Sequence, residues 1–275
     1  MNAVASESWP TAPAGVQWGM RVQSLEDDTV LVDTGADTVM RTASMGKVFL
    51  LLEVARRLAD GVLHPEDLCE ATAEHYVEDS GLLHAMLRRR LPVWDAAVLV
   101  AAVSDNLATN ALLELCGLAP VRRVSAELGL EHTALLDYIR DERTPDMPWT
   151  PSYGTAGEFA ETMVMLDRGR AFSEEVSTQV LDWLALDTDT SMVASALGVD
   201  PLAHAEPDSR GLSLRHKTGT TDFARADAGV VRGPGGGVAY AVLANWDPEG
   251  PSRHLEVMAA MERVGQCLVH YVEEG

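Results

Sequence analysis

Lysine is nearly absent from this chain. Only Lys47 and Lys217 occur in 275 residues, and the other nineteen basic side chains are arginine. Arginine cannot release its proton at usable pH, whereas a buried lysine can. A chain that writes Arg for its solvated cations and Lys twice marks those two places as sites that need an amine. Cysteine is scarce too. Cys69, Cys116 and Cys267 are too few and too far apart for a disulfide framework or a zinc motif, and are read as buried or half-buried thiols. The eight histidines show no ligand spacing with Cys or acidic partners, so no metal and no cofactor are expected. Long apolar runs are missing: none reaches the ~18 residues of a membrane helix, and the best, Val48–Leu58, is broken by Glu53, Arg56 and Arg57. The first fifteen residues lack a basic stretch and an apolar core, so a cytoplasmic location is expected for the chain as given, or secretion if a leader was removed. Positive charge is in deficit, with 21 basic against 42 acidic residues and a formal net charge of −21. Such a surface repels phosphate backbones and anionic headgroups. The expected partner is therefore a small-molecule substrate, with no nucleic acid and no membrane, and the chain is expected to be monomeric.

What is present suits an ordinary globular protein. Apolar residues make up 47% and charged residues 23%, enough to bury a real core in one large domain or two interleaved lobes. Segments 17–24 and 29–33 read as a β-hairpin. Helical patterning covers 44–60, 95–103, 108–115, 120–128, 155–168 and 173–184, several of these ending at glycine. Three strands are expected at 212–217, 226–232 and 238–245, and a closing amphipathic helix at 254–272. Strands from both ends can pair into one antiparallel sheet carrying the last helix, with the helical middle as a second lobe. The fold class is thus α/β (α+β), one domain over 1–275, with an α/β lobe at 16–43 plus 210–275 and a mainly helical lobe at 44–209. Residues 137–154 show little periodicity and hold Pro145, Pro148 and Pro151; an irregular stretch of that length inside a compact domain is usually functional.

Three triplets carry chemistry. Ser44 and Lys47 are three residues apart, on one face of a helix, so hydroxyl and amine can meet. A serine hydroxyl is a weak nucleophile that needs an adjacent base, and lysine can be that base if burial or a nearby cation lowers its pKa. A helix N-terminus also points free N–H groups at a developing anion. Ser104-Asp105-Asn106 offers a second hydroxyl to relay a proton and an amide that both donates and accepts, while Asp105 fixes the turn. His216-Lys217-Thr218-Gly219-Thr220 ends a strand. There Lys217 would set a cation beside Ser104, Gly219 would permit close backbone approach, and the Thr220 N–H would be an oxyanion donor. Each triplet alone is weak and has a bland alternative as a helix cap, a turn or a strand end.

Together, in this order, they account for both lysines and resemble the signature of penicillin-recognising serine enzymes. The chain resembles the serine β-lactamase and penicillin-binding-protein family, closest to its class A branch. The 60-residue gap from Ser44 to Ser104, the segment VSDNLATNALLELCG, Asp79-Ser80-Gly81-Leu82-Leu83 and HKTGTTDFARADAGVV carry the likeness. The resemblance implies a five-stranded antiparallel sheet flanked by helices plus an all-helical lobe. It implies Ser44 as the acylated nucleophile, Lys47 as its base or proton shuttle, Ser104 as proton donor to the leaving nitrogen, and Lys217 as an electrostatic support. Asn106, Thr218, Gly219 and Thr220 would bind substrate, with the N–H groups of Ser44 and Thr220 as oxyanion hole. Arg225, shortly after the Lys-Thr-Gly strand, is expected to meet a substrate carboxylate, or else to be an exposed strand arginine. For deacylation the resemblance points to Glu142, in Arg140-Asp141-Glu142-Arg143-Thr144-Pro145-Asp146, with Asp141 as alternative base. The usual Leu-Asn is replaced by Pro145-Asp146 and the loop is short, which would move Glu142 out of reach or widen the site. The implied reaction is β-lactam hydrolysis through acyl-Ser44. The alternatives are an esterase or peptidase with the same acylation machinery, or a penicillin-binding protein that acylates and stalls.

Overall fold

A computed structural model describes residues 9–274. In chain order the strands are β1 Val16–Ser24, β2 Val30–Thr34, β3 Met40–Arg41, β4 Leu68–Cys69, β5 Leu91–Pro92, β6 Ala134–Leu135, β7 Ser152–Gly154, β8 Ser213–Thr221, β9 Ala224–Gly233 and β10 Gly236–Trp246. The helices are α1 Lys47–Ala59, α2 Val93–Val103, α3 Asn106–Cys116, α4 Leu118–Glu127, α5 Ala156–Asp167, α6 Glu174–Leu184 and α7 His254–Glu274. The five long strands form one antiparallel sheet in the order β2-β1-β10-β9-β8, so N-terminal and C-terminal segments do pair. The very short strands were not legible, because two or three residues carry no period.

The alternation of strand side chains divides the core. Along β10, Val238, Tyr240, Val242 and Ala244 face α7, in a cluster with Val257, Met261, Val264 and Leu268. Ala239, Ala241 and Leu243 face the opposite way, into the core built on α1, α2, α3, α5 and α6. On that second face β9 presents Ala226, Ala228 and Val230, and α5 packs on β10 and β9. Val193–Leu197, a 3-10 turn, packs on α7 rather than among the helices of the middle, because its Val193, Ala194 and Leu197 are apolar and α7 leaves room at Gly265.

Strand β8 runs four residues past Lys217, through the whole Lys-Thr-Gly-Thr-Thr segment. Gly219 explains how. A Cβ there would lie 2.3 Å from Thr42 O and 3.1 Å from Ser44 N and Met45 N. Only glycine lets this edge strand lie against the turn that carries Ser44.

Candidate active site

Ser44 lies in a 3-10 turn, Ala43–Gly46, that leads directly into α1. The turn is seated by buried polar contacts: Ser152 Oγ donates to Ala43 O at 2.5 Å and shares a 2.8 Å hydrogen bond with Thr42 Oγ1. A Cβ at Gly46 would lie 2.4 Å from Ser152 Cβ, so glycine is required there as well. Lys47 is the first residue of α1 and is fully buried. Its Nζ donates to Ser104 O at 2.6 Å, Asn106 Oδ1 at 2.7 Å and Ser104 Oγ at 3.2 Å. Burial first, and then the positive charge of Lys217, hold this amine well below the ordinary lysine range. That is the condition under which a lysine acts as a base.

Ser104 terminates α2 in the left-handed conformation, φ 55°. A non-glycine residue held there costs of order 1–3 kcal/mol and persists because its surroundings over-determine it. Asp105 is one reason. Its buried carboxylate caps α3 through Ala108 N and accepts from Leu82 N and Leu83 N, all at 2.7–2.8 Å. Asn106 N in turn donates to Ser80 O at 2.9 Å. Gly81 makes this possible, since a Cβ there would sit 2.3 Å from Asp105 Oδ2. The Asp79–Leu83 segment and the Ser-Asp-Asn turn are thereby one rigid unit.

Lys217 is fully buried, but its ion pair is with Asp187 at 3.2 Å, and its amine also donates to Thr218 O. Asp187 Oδ2 further accepts from Thr218 N at 3.1 Å. Burial pushes the Asp187 carboxyl up, and the charges of Lys217 and His216 outweigh it, leaving the group below its usual range. Asp187 is a site residue that the sequence reading missed. It lies in an irregular stretch after α6 and is brought to Lys217 only by tertiary packing. Beneath it, His216 Nδ1 meets Asp227 Oδ1 at 3.1 Å, and Tyr240 Oη donates to the same oxygen at 2.8 Å.

A cleft of about 780 Å³ opens on this assembly. Ser44, Ser104, Asn106, Thr218 and Thr220 all line it. Arg225 does not. It shares a sheet face with Asp227, two residues on, and its guanidinium turns to His254 Nδ1 on α7, to backbone carbonyls and to the Trp246 ring. The parity of β9, not its distance from Lys217, decides where this arginine points.

Glu142 is also displaced. It is exposed and does not line the cleft, whereas its neighbours Arg140, Asp141 and Arg143 do. Arg143 is the cause: its guanidinium bonds Asp137 Oδ2, Tyr138 O and Pro148 O at 2.8–3.0 Å. Arg140 joins it on Asp137. With Arg143 drawn inward, the preceding side chain is turned out. The residue this loop delivers to the cleft in a fixed position is Ile139. Asn110, buried on α3, donates to Ile139 O at 2.8 Å and accepts from Ile139 N at 2.9 Å. Asn106 and Asn110 are about one turn apart on the same face of α3, so successive turns of one helix hold the Lys47 amine and the Ile139 backbone. Ile139 is the sole isoleucine of the chain, a signal that the sequence reading passed over. Among the described residues no cluster of three metal-binding side chains occurs, and no helix is long and apolar enough to cross a membrane.

A serine and a buried lysine at a helix start, faced by a Ser-Asp-Asn turn and a Lys-Thr-Gly edge strand, form the arrangement of a β-lactamase-like hydrolase. The Beta-lactamase enzyme family matches residues 2–272, and the chain belongs to that family. Its fold is shared with a β-lactamase from Sphaerobacter thermophilus (TM-score 0.81, 24% identity, covering 94% of this chain and 92% of that one). It is also shared with the penicillin-binding protein PBP-A (0.79, 20%, 96% and 92%) and with an ancestral class A β-lactamase (0.77, 22%, 94% and 95%). A leucine-to-glutamate variant of PBP-A forms an acyl-enzyme complex with penicillin G. None of the curated proteins matches the chain by sequence.

Proposed function

We propose that the protein is an acyl-serine enzyme that opens β-lactam-type cyclic amides at Ser44 and releases the acyl group slowly. The observation that carries the acylation half is the buried Lys47 amine, bonded to Ser104 and Asn106 and shifted toward its neutral form. In this reading Lys47 takes the Ser44 proton as Oγ attacks the carbonyl carbon. The amide C–N bond then breaks, and Ser104 hands a proton to the leaving nitrogen, replenished from Lys47. The Ser44 and Thr220 N–H groups receive the negative charge on the carbonyl oxygen, where preorganised donors act most strongly.

The slow-release half rests on the loop. Water attack on the acyl-ester needs a base within hydrogen-bond reach. Glu142 is outside the cleft; Asp141 lines it, but no hydrogen bond among the described residues fixes its carboxylate there; and the tethered position is occupied by Ile139, which cannot accept a proton. This favours a penicillin-binding role over efficient antibiotic hydrolysis.

The test is covalent labelling by a fluorescent penicillin, followed by intact mass. The parent protein should carry one long-lived adduct, and Ser44→Ala should carry none. Labelling undiminished in Ser44→Ala would remove the assignment. Rapid loss of the adduct from the parent protein would overturn the slow-release half alone.

A further inference from the structure

Three arginines line the cleft: Arg41, Arg140 and Arg143. Arg140 and Arg143 are both neutralised by Asp137. Arg41 alone has no carboxylate partner among the described residues. Its guanidinium carbon instead lies 4.8 Å from the Trp149 ring centroid and 5.3 Å from that of Phe223. Its main chain is pinned, since Asn245 Oδ1 accepts from Arg41 N at 2.9 Å and Asn245 Nδ2 donates to Arg41 O at 3.0 Å. In a chain with twice as many acids as bases, a cation left unpaired on the wall of the reaction cleft is a distinctive feature. Contact of the guanidinium with ring faces leaves its N–H edge available, and that edge matches a carboxylate bidentately.

The position of this edge selects which part of a substrate it meets. Lys217, Asp187 and Thr218 form one hydrogen-bonded group, and Ser104, bonded to Lys47, is the proton donor to the leaving nitrogen in the reading above. Arg41, Trp149 and Phe223 form a second group, built from β3, the segment before β7 and the β8–β9 turn, and among the described residues it makes no hydrogen bond to the first. We infer that Arg41, held by Trp149 and Phe223, is a specificity residue that binds a carboxylate carried on the acyl portion of the substrate, so that the preferred acyl donors are anionic on that side. The aromatic rings would also cover the apolar body of such a group. This inference rests on acyl transfer to Ser44.

The experiment compares acylation by benzylpenicillin and by its counterpart with a carboxyl on the side-chain α-carbon. Second-order rate constants for adduct formation are read by intact mass in the parent protein, Arg41→Gln and Arg41→Lys. Hydrogen bonds to a charged group contribute about 1.5–3 kcal/mol, so the ratio of carboxylated to plain rate constants should fall roughly tenfold or more in Arg41→Gln. Arg41→Lys, which keeps the charge and loses the fork, should fall between. A ratio equal in all three proteins, with labelling intact, overturns the anion subsite and leaves the acylation reading standing. No adduct with either penicillin in the parent protein overturns the acylation reading and this inference with it.

Discussion

Lys47 and Lys217 are both fully buried, yet their surroundings suit them to opposite tasks. Asp187 faces Lys217 and keeps its charge compensated. Lys47 has only neutral acceptors within hydrogen-bond distance among the described residues, and burial, then the Lys217 charge, hold its amine well below the ordinary lysine range. Acylation should therefore rise with pH along a limb set by Lys47, since only the neutral amine can accept the Ser44 proton. Removing the Lys217 charge removes one cause that lowers the Lys47 pKa, so in Lys217→Gln this limb should move to higher pH. Lys217→Arg keeps the charge and should leave the limb near its original place. Lys47→Arg should abolish acylation at every pH, because a guanidinium is not a base. Rate profiles of adduct formation against pH check the series; a limb that stays put in Lys217→Gln would show that the two amines are not coupled. Lys217→Gln should also unfold more readily, as a buried ion pair broken on one side costs roughly 3–5 kcal/mol.

At the scale of elements, α3 acts as a ruler between the Lys47 amine and the irregular loop. Asn106 holds the Lys47 amine, and one turn later Asn110 holds the backbone of Ile139. Glu142→Gln should leave the lifetime of the acyl-enzyme unchanged, because its carboxylate is not in the cleft. Ile139→Glu would place a carboxylate on the tethered backbone and should shorten that lifetime, toward the 10²–10⁴-fold that a positioned general base contributes. Intact mass followed over time after mixing with a penicillin measures both. A shortened lifetime in the parent protein that Glu142→Gln abolishes would reverse the assignment. The contrast also shows where sequence sufficed. The Ser-Asp-Asn turn was legible because Asp105 caps the helix that follows it, a local rule. Ser44, Lys47 and Lys217 were legible through spacing and rarity. Asp187, the outward turn of Glu142 and the α7-side placement of Arg225 were not. Each depends on a partner far along the chain: Lys217, the Asp137–Arg143 pair, and the parity of β9 against β10.

At the scale of the whole molecule, the sheet separates the catalytic core from a second core beneath α7, and the two communicate through Val193–Leu197. Val193 N donates to Asp227 Oδ2 at 3.0 Å, and Asp227 also holds His216, next to Lys217. The backbone of this turn fits α7 only at Gly265. A Cβ there would lie 2.1 Å from Val193 O and 2.8 Å from Ala196 Cβ. Two effects compete in Gly265→Ala. Within a helix, alanine is favoured over glycine by about 1 kcal/mol. Overpacking a close contact typically costs about 1–3 kcal/mol, and here the obstacle is backbone, which cannot rotate away. The contact should win, so Gly265→Ala should lower Tm by thermal denaturation, whereas Glu262→Ala, exposed on the same helix, should not. Because the displaced turn carries the Val193–Asp227 bond, the acylation rate of Gly265→Ala should drop as well, at temperatures where the variant is still folded. A Tm equal to or above that of the parent protein would mean that α7 and Val193–Leu197 part without cost. The second core would then carry no part of the active-site geometry.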